Sequence, residues 1–189
     1  MTNLPSQKEA IAATLALYGD RRPLAVADIG SQSAWLKAAS HHARNLYVSG
    51  PMGLASSVAQ GVAACRPKEE VLAVCGDGAL AMNLSSLATI AGAAPANLSV
   101  LVLANGIYEY TGRLPVPTVA LDWLSVGRAM FGAGQCFNLS ELTAEKWASV
   151  KRPAMIVADI APSTEPTPGL GMSPAQIRAA FLDAVKAVG

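Results

Sequence analysis

Two stretches of this sequence restrict the fold more than any others. Residues 71–75 (VLAVC) are apolar throughout, and residues 98–104 (LSVLVLA) nearly so. A short apolar run without polar alternation is the pattern of a strand covered on both faces. Residues 79–94, between them, read as helix, so the chain runs strand, helix, strand, the crossover that a parallel pair requires. The first strand runs into Gly76-Asp77-Gly78 and the second into Asn105-Gly106.

The same alternation extends along the chain. Ser6 and Glu9 have the spacing of a capping box, starting a helix with Ile11, Leu15 and Tyr18 on one face and Gly19 at its end. Residues 24–28 are a short strand, and Ser33 is placed to cap a helix through Trp35 and Leu36. Residues 45–48 are another strand, ended by Gly50-Pro51-Met52-Gly53. The helix after it, LASSVAQGVAAC, is rich in small side chains that let it approach its neighbours closely. Residues 105–118 hold two glycines and two prolines and read as a long loop, a feature that in compact domains tends to be functional. Residues 119–131 predict a helix with Leu121, Leu124 and Met130 as its apolar positions. A short strand over 135–138, a short helix over 143–150 and a last strand over 155–160 follow. Ser173-Pro174 opens the final helix, with cap and first-turn proline in order. Strands alternating with helices throughout predict a doubly wound, mostly parallel α/β sheet with helices on both faces, residues 1–189 forming one domain. In such sheets ligands bind beyond the carboxyl ends of the strands, and the turns at 30, 50, 76 and 105 all belong to that edge.

Composition narrows the function. A chain of 189 residues can bury a full core. Charged residues make up 14% and apolar ones 52%, against roughly 25% charged in a typical domain, which suggests a surface buried against a partner. The net charge of +1 leaves no electrostatic footprint for nucleic acid or an anionic membrane. No run is apolar for long enough to span a bilayer, and MTNLPSQKEA lacks a charged-then-apolar leader pattern, so a cytoplasmic location is expected. Cys65, Cys75 and Cys136 have no metal or CxxC spacing, and Cys75 reads as a small buried side chain. The adjacent His41 and His42 would point apart and make a poor metal pair.

The carboxylate in Gly76-Asp77-Gly78 sets the chemistry. A dinucleotide site is one reading, since GDGALA fits a loose GxGxxA pattern after a strand. Two features count against it. The next strand ends in Ala104-Asn105, with no acid for ribose hydroxyls, and Asp77 would set a bare negative charge against a pyrophosphate. A divalent metal reverses that argument, because Mg²⁺ prefers oxygen ligands and takes one or two from side chains and the rest from phosphate and water. Asp77 would supply a carboxylate, Asn105 a side-chain carbonyl and Ile107 a backbone carbonyl, with the amides of Ala79 and Leu80 facing the phosphates. The plain alternative is a tight glycine turn whose aspartate caps the following helix.

The segment resembles the diphosphate-binding motif of thiamine diphosphate enzymes, which is GDG, about 25 residues, then Asn-Asn. Here Ala104 replaces the first Asn, and Asn105 keeps the second, the metal ligand of the family. Three further stretches, VSGPMGLASSVAQGVA, LSSLATIAGAAPANLSVLVLANGIYEYTG and ADIGSQSAWL, resemble those of the sulfopyruvate and phosphonopyruvate decarboxylases. The resemblance covers most of residues 24–118 and implies the fold, thiamine diphosphate and Mg²⁺. It implies that Gly30 and Ser31 touch the diphosphate together with Gly76, Asp77, Gly78 and Ala79. Gly50 would offer its carbonyl to the pyrimidine 4′-amino group, and Met52 would hold the cofactor bent, although its position alone also suits core packing. Ile107 and Tyr108 complete the cofactor contacts.

In the resembled family a glutamate on a separate pyrimidine-binding domain activates the cofactor. That domain is too large to share this chain, and no acid here is a good candidate. The resemblance therefore implies half an active site, the β-type subunit of a hetero-oligomer, with a pyrimidine-binding α subunit supplying the glutamate. A small 2-oxo acid would lose CO₂ and leave as an aldehyde. Glu109 would face the substrate or stand as a solvated loop carboxylate. TGRLPVPT stands where the family often has TGGQPT, so Arg113 would pair with a sulfonate or phosphonate, contact the partner, or be an exposed charge. The alternatives are another 2-oxo acid or carboligation at the same half-site, a non-catalytic assembly subunit, and an NAD-binding module.

Overall fold

The computed structural model describes residues 4–117 and 120–187. Its strands are β1 (Leu24–Ala27), β2 (Asn45–Tyr47), β3 (Val71–Gly76), β4 (Leu98–Ala104), β5 (Ile107–Tyr108), β6 (Leu114–Pro115), β7 (Cys136–Asn138) and β8 (Ala154–Asp159). Six of them form one sheet in the order β2-β1-β3-β4-β8-β7, every neighbouring pair parallel, while β5 and β6 make a separate antiparallel hairpin. The two apolar stretches that open the sequence argument are the central pair. β3 is buried along its whole length and β4 at all but its last residue, because helices cover both faces and leave no position for a polar side chain to reach water.

The helices are α1 (Gln7–Ala16), α2 (Ser31–Ser40), α3 (Ala55–Cys65), α4 (Asp77–Met82), α5 (Ser85–Ala93), α6 (Trp123–Phe131), α7 (Ala144–Ser149) and α8 (Pro174–Lys186). One face of the sheet packs Ala59 of α3, Leu87 and Ile90 of α5, and Trp123 and Phe131 of α6. The other packs Ile11 of α1, Leu36 of α2 and Trp147 of α7. The helix after β1 thus lies on one face and the helices after β3 on the other. Because β1 and β3 are neighbours, their carboxyl ends part at a topological switch point, where doubly wound sheets bind ligands.

Local signals placed most boundaries. The Ser6–Glu9 capping box forms, Ser173 caps the last helix with Pro174 in its first turn and also makes a capping box with Gln176, and Cys75 is fully buried. Four expectations change. Helix α2 is not capped by Ser33, whose hydroxyl donates to the carbonyls of Ala27 and Asp28 from inside the helix; Gly30, at φ +86°, stands at the cap. The single helix expected over 79–94 is two helices, which break where Asn83 turns its side chain to Gly53 O and Ser57 Oγ. The loop after residue 105 contains the β5–β6 hairpin. The helix expected over 119–131 begins at Trp123, capped by Asp122 through the amides of Leu124 and Ser125. Its buried face is Trp123, Gly127 and Phe131, and Leu121 stands exposed before it. Residues 118 and 119 lie outside the described residues.

Candidate functional site

Four loops meet at the carboxyl edge of β1, β3 and β4 and line an open cavity of about 220 Å³. The loop after β1 brings Gly30 and Ser31, and the loop after β2 brings Gly50 and Met52. The turn after β3 brings Gly76, Asp77, Gly78 and Ala79, and the hairpin after β4 brings Ile107, Tyr108 and Glu109. Asn105 stands on the far side of Asp77, where the two share an adjoining cleft with Gly106.

Asp77 is buried, yet it does not cap the helix it begins. Gly76 occupies the cap position, and no side chain caps there. Asp77 Oδ1 accepts the amide of Gly78 and Oδ2 reaches across to the amide of Gly106, each at 2.8 Å. Burial raises its carboxyl above the ordinary aspartate range, and those amides offset only part of the effect. Asn105 Oδ1 accepts the amide of Ile107 at 3.1 Å. Ile107 lies opposite Pro115, which has no N–H, and the neighbouring bond runs from Val116 N to Gly106 O. By the alternation of an antiparallel pair, the Ile107 N–H and C=O point out of the hairpin, on the side of Asn105. A carboxylate oxygen and an amide oxygen each keep a lone pair beyond the one already bonded. Asp77, Asn105 and Ile107 therefore offer a set of hard oxygens that suits a small divalent cation. No cluster of three His, Cys, Asp or Glu suited to a metal occurs among the described residues, so phosphate and water would complete such a shell. His41 and His42 are engaged locally, with Tyr47 and Arg44.

Close packing requires glycine at 78, whereas Gly76 faces the movable end of the Gln32 side chain. A Cβ on Gly76 would lie 2.5 Å from Gln32 Nε2, and one on Gly78 would lie 2.5 Å from the Tyr108 ring and 2.8 Å from Val116. The hairpin after β4 is thereby pressed onto the turn after β3, which brings Ile107 to Asp77.

Glu109 and Arg113, the candidate catalytic residues, are held by one backbone segment. Glu109 Oε1 accepts the amide of Ser163, and Arg113 Nη1 donates to the Ser163 carbonyl at 2.7 Å. Glu109 still borders the cavity, whereas Arg113, exposed and at φ +60°, does not.

Residues 28–135 match the family described as thiamine pyrophosphate enzyme, C-terminal TPP binding domain. The chain belongs to this family. Among curated relatives, the sulfopyruvate decarboxylase subunit beta of Methanococcus maripaludis is 33% identical over 86% of this chain and 89% of its own. The phosphonopyruvate decarboxylase of Streptomyces hygroscopicus is 36% identical over 70% of this chain but only 34% of its own. Among solved structures, an enzyme from Mycobacterium smegmatis assigned as thiamin diphosphate-dependent superposes with a TM-score of 0.66. At 19% identity, over 84% of this chain and 32% of that one, it shares the fold. Membership makes the turn after β3 part of a thiamine pyrophosphate-binding domain and removes the dinucleotide reading.

Two residues beside this cavity escape a motif search. Asp28, fully buried at the end of β1, accepts the amides of Gly53, Leu54 and Ala55 on a single oxygen. Burial raises its carboxyl, and its charge, added to burial, pushes the Cys75 thiol up. Asn83 holds the carbonyl of Gly53. An acid just before the Gly30 turn was the only signal for Asp28. Asn83 left no signal, because its partner lies in a different loop.

Proposed function

We propose that this chain is the diphosphate- and Mg²⁺-binding subunit of a two-subunit, thiamine diphosphate-dependent 2-oxo acid decarboxylase, with sulfopyruvate converted to sulfoacetaldehyde and CO₂. The observation that carries the reading is the match over 86% of this chain and 89% of a β subunit, where the phosphonopyruvate enzyme is matched over 34% of its length. The shape of the site supports a partner. A cavity of about 220 Å³ that opens to solvent is smaller than the roughly 300–1,000 Å³ that encloses a ligand of this size. No helix among the described residues is long and apolar enough to cross a membrane.

Thiamine diphosphate, when bound, supplies the carbon nucleophile and electron sink that make loss of CO₂ from a 2-oxo acid possible. The chain's own residues bind and orient. Asp77, Asn105 and the Ile107 carbonyl would hold Mg²⁺, and burial of Asp77 in a site of low dielectric makes its affinity for a cation greater than in water. Gly30, Ser31, Gly76, Gly78 and Ala79, which line the cavity, would face the diphosphate. Gly50 and Met52 would face the pyrimidine and the bend between the rings, and Tyr108 would close the hairpin side. The partner subunit would supply the activating glutamate. It would also supply a cation for the sulfonate, because no Lys, Arg or His lines the cavity among the described residues.

The test is reconstitution with the pyrimidine-binding partner and assay on sulfopyruvate, phosphonopyruvate, pyruvate and benzoylformate. The complex is expected to give its highest kcat/KM with sulfopyruvate, and the chain alone no turnover. Substantial decarboxylation by the chain alone would refute the split site, and a preference for another acid would move the substrate assignment.

A further inference from the structure

The Gly53 peptide is gripped on both sides. Its N–H donates to Asp28 Oδ1 at 3.1 Å, and its carbonyl accepts from Asn83 Nδ2 at 2.9 Å. Asp28 takes the next two amides as well, Leu54 at 3.1 Å and Ala55 at 3.2 Å. Helix α3 begins here with Leu54 at its cap and no side-chain cap of its own. The acceptor is a fully buried carboxyl group just past the end of β1, a costly group to bury, and one of its oxygens takes all three amides. The peptide is also pinned in position, since Gly53 has φ +82° and a Cβ on it would stand 2.7 Å from the carbonyl of Ala79.

The elements on either side of this grip are those that build the cavity. Asp28 immediately precedes the Gly30–Ser31 turn, Asn83 ends the helix that Asp77 begins, and Gly53 ends the loop that presents Gly50 and Met52. We propose that Asp28 and Asn83 are positioning residues, a two-sided clamp on the Gly53 peptide that sets residues 50–52 at a fixed distance from the Asp77 turn. The clamp leaves the metal and diphosphate contacts untouched and acts on the part of the cofactor that Gly50 and Met52 would face. It rests on the reading that this cavity holds thiamine diphosphate.

The two halves of the ligand separate the roles. In the complex with the pyrimidine-binding subunit, calorimetric titrations with thiamine diphosphate and with inorganic pyrophosphate, each with Mg²⁺, are compared for the wild type, Asp28→Asn and Asn83→Ala. Loss of a bond that holds the loop is expected to weaken thiamine diphosphate binding about tenfold in each variant. Pyrophosphate, which lacks both rings, should change by less than about twofold on the same scale. The Asp28→Asn, Asn83→Ala double variant should lose less than the product of the two, since both act on one peptide. Equal weakening of both ligands, or of neither, would overturn the clamp. Failure of the wild type to bind either ligand would instead overturn the cofactor reading, and the clamp with it. Asn83 lies at a half-exposed helix end, so its variant decides the matter even where Asp28→Asn fails to fold.

Discussion

Asp77 Oδ2 accepts the amide of Gly106 at 2.8 Å, so the carboxylate that follows one central strand is bound to the backbone that leaves the next. The two strands run parallel and in register up to Gly76 and Leu103, which delivers both loops to one point. An aspartate that merely capped its own helix would not make this bond. The bond holds the carboxylate in the cleft it shares with Asn105.

The first prediction concerns that carboxylate. Mg²⁺ with thiamine diphosphate at a hundred times Kd should stabilise the wild type by about 2.7 kcal/mol, which for a chain of this size raises the midpoint by roughly 5–10 °C. Asp77→Ala is expected to abolish the ligand-induced shift in a thermal unfolding assay. A shift that persists undiminished would exclude Asp77 as a metal ligand.

A pair of glycines tests the packing of the turn. In Gly78→Ala the new methyl would stand 2.5 Å from Tyr108 and 2.8 Å from Val116, an overpacking that costs about 1–3 kcal/mol. Gly61, on α3, has nothing within 4 Å of its Cβ position, so Gly61→Ala should stabilise by about 0.4–1 kcal/mol. Denaturant unfolding of both variants reads the opposite signs, and a stabilised Gly78→Ala would show that the hairpin is not pressed on the turn.

The pH dependence of stability should carry the mark of Asp28. Its folded carboxyl is raised by burial. The stability it contributes is therefore fully present below its unfolded value and is lost as pH rises through the folded value. The titratable group facing it is the Cys75 thiol, itself raised by burial and by Asp28. Asp28→Asn has no proton to lose. The difference in midpoint between variant and wild type should thus move in favour of the variant from pH 4 to pH 7, as measured by calorimetry. A difference that is flat or of opposite slope would show that the buried carboxylate does not titrate in this way.

Arg113 is expected to matter little. Its guanidinium is exposed, bonded to the Ser163 carbonyl, and outside the cavity lining. An exposed contact of this kind supplies at most about 1 kcal/mol, or roughly fivefold in KM. Steady-state kinetics of Arg113→Ala in the reconstituted complex should stay within that range. A hundredfold rise in KM for sulfopyruvate would instead place Arg113 on the substrate.

Much of this protein is written locally in its chain. Apolar runs, broken only by Ser99, marked β3 and β4 because burial on both faces favours apolar side chains, and Ser6-Glu9 and Ser173-Pro174 marked two helix starts because a cap is satisfied within a few residues. The Asp77–Asn105 spacing marked two neighbouring strand ends, because α4, α5 and β4 return the chain to the same edge. The helix break at Asn83, the cross-strand cap by Asp28, the reach of Asp77 to Gly106 and the tethering of Glu109 and Arg113 to Ser163 were decided only by the tertiary structure. Each joins groups on different elements, and the choice of partner for a buried polar group depends on which amides the order of the sheet sets within about 3 Å of it. The sequence by itself determined the elements and the residue types available for chemistry. The packing of those elements decided which groups meet, because a hydrogen bond is selected by distance in space and carries no trace of the separation along the chain.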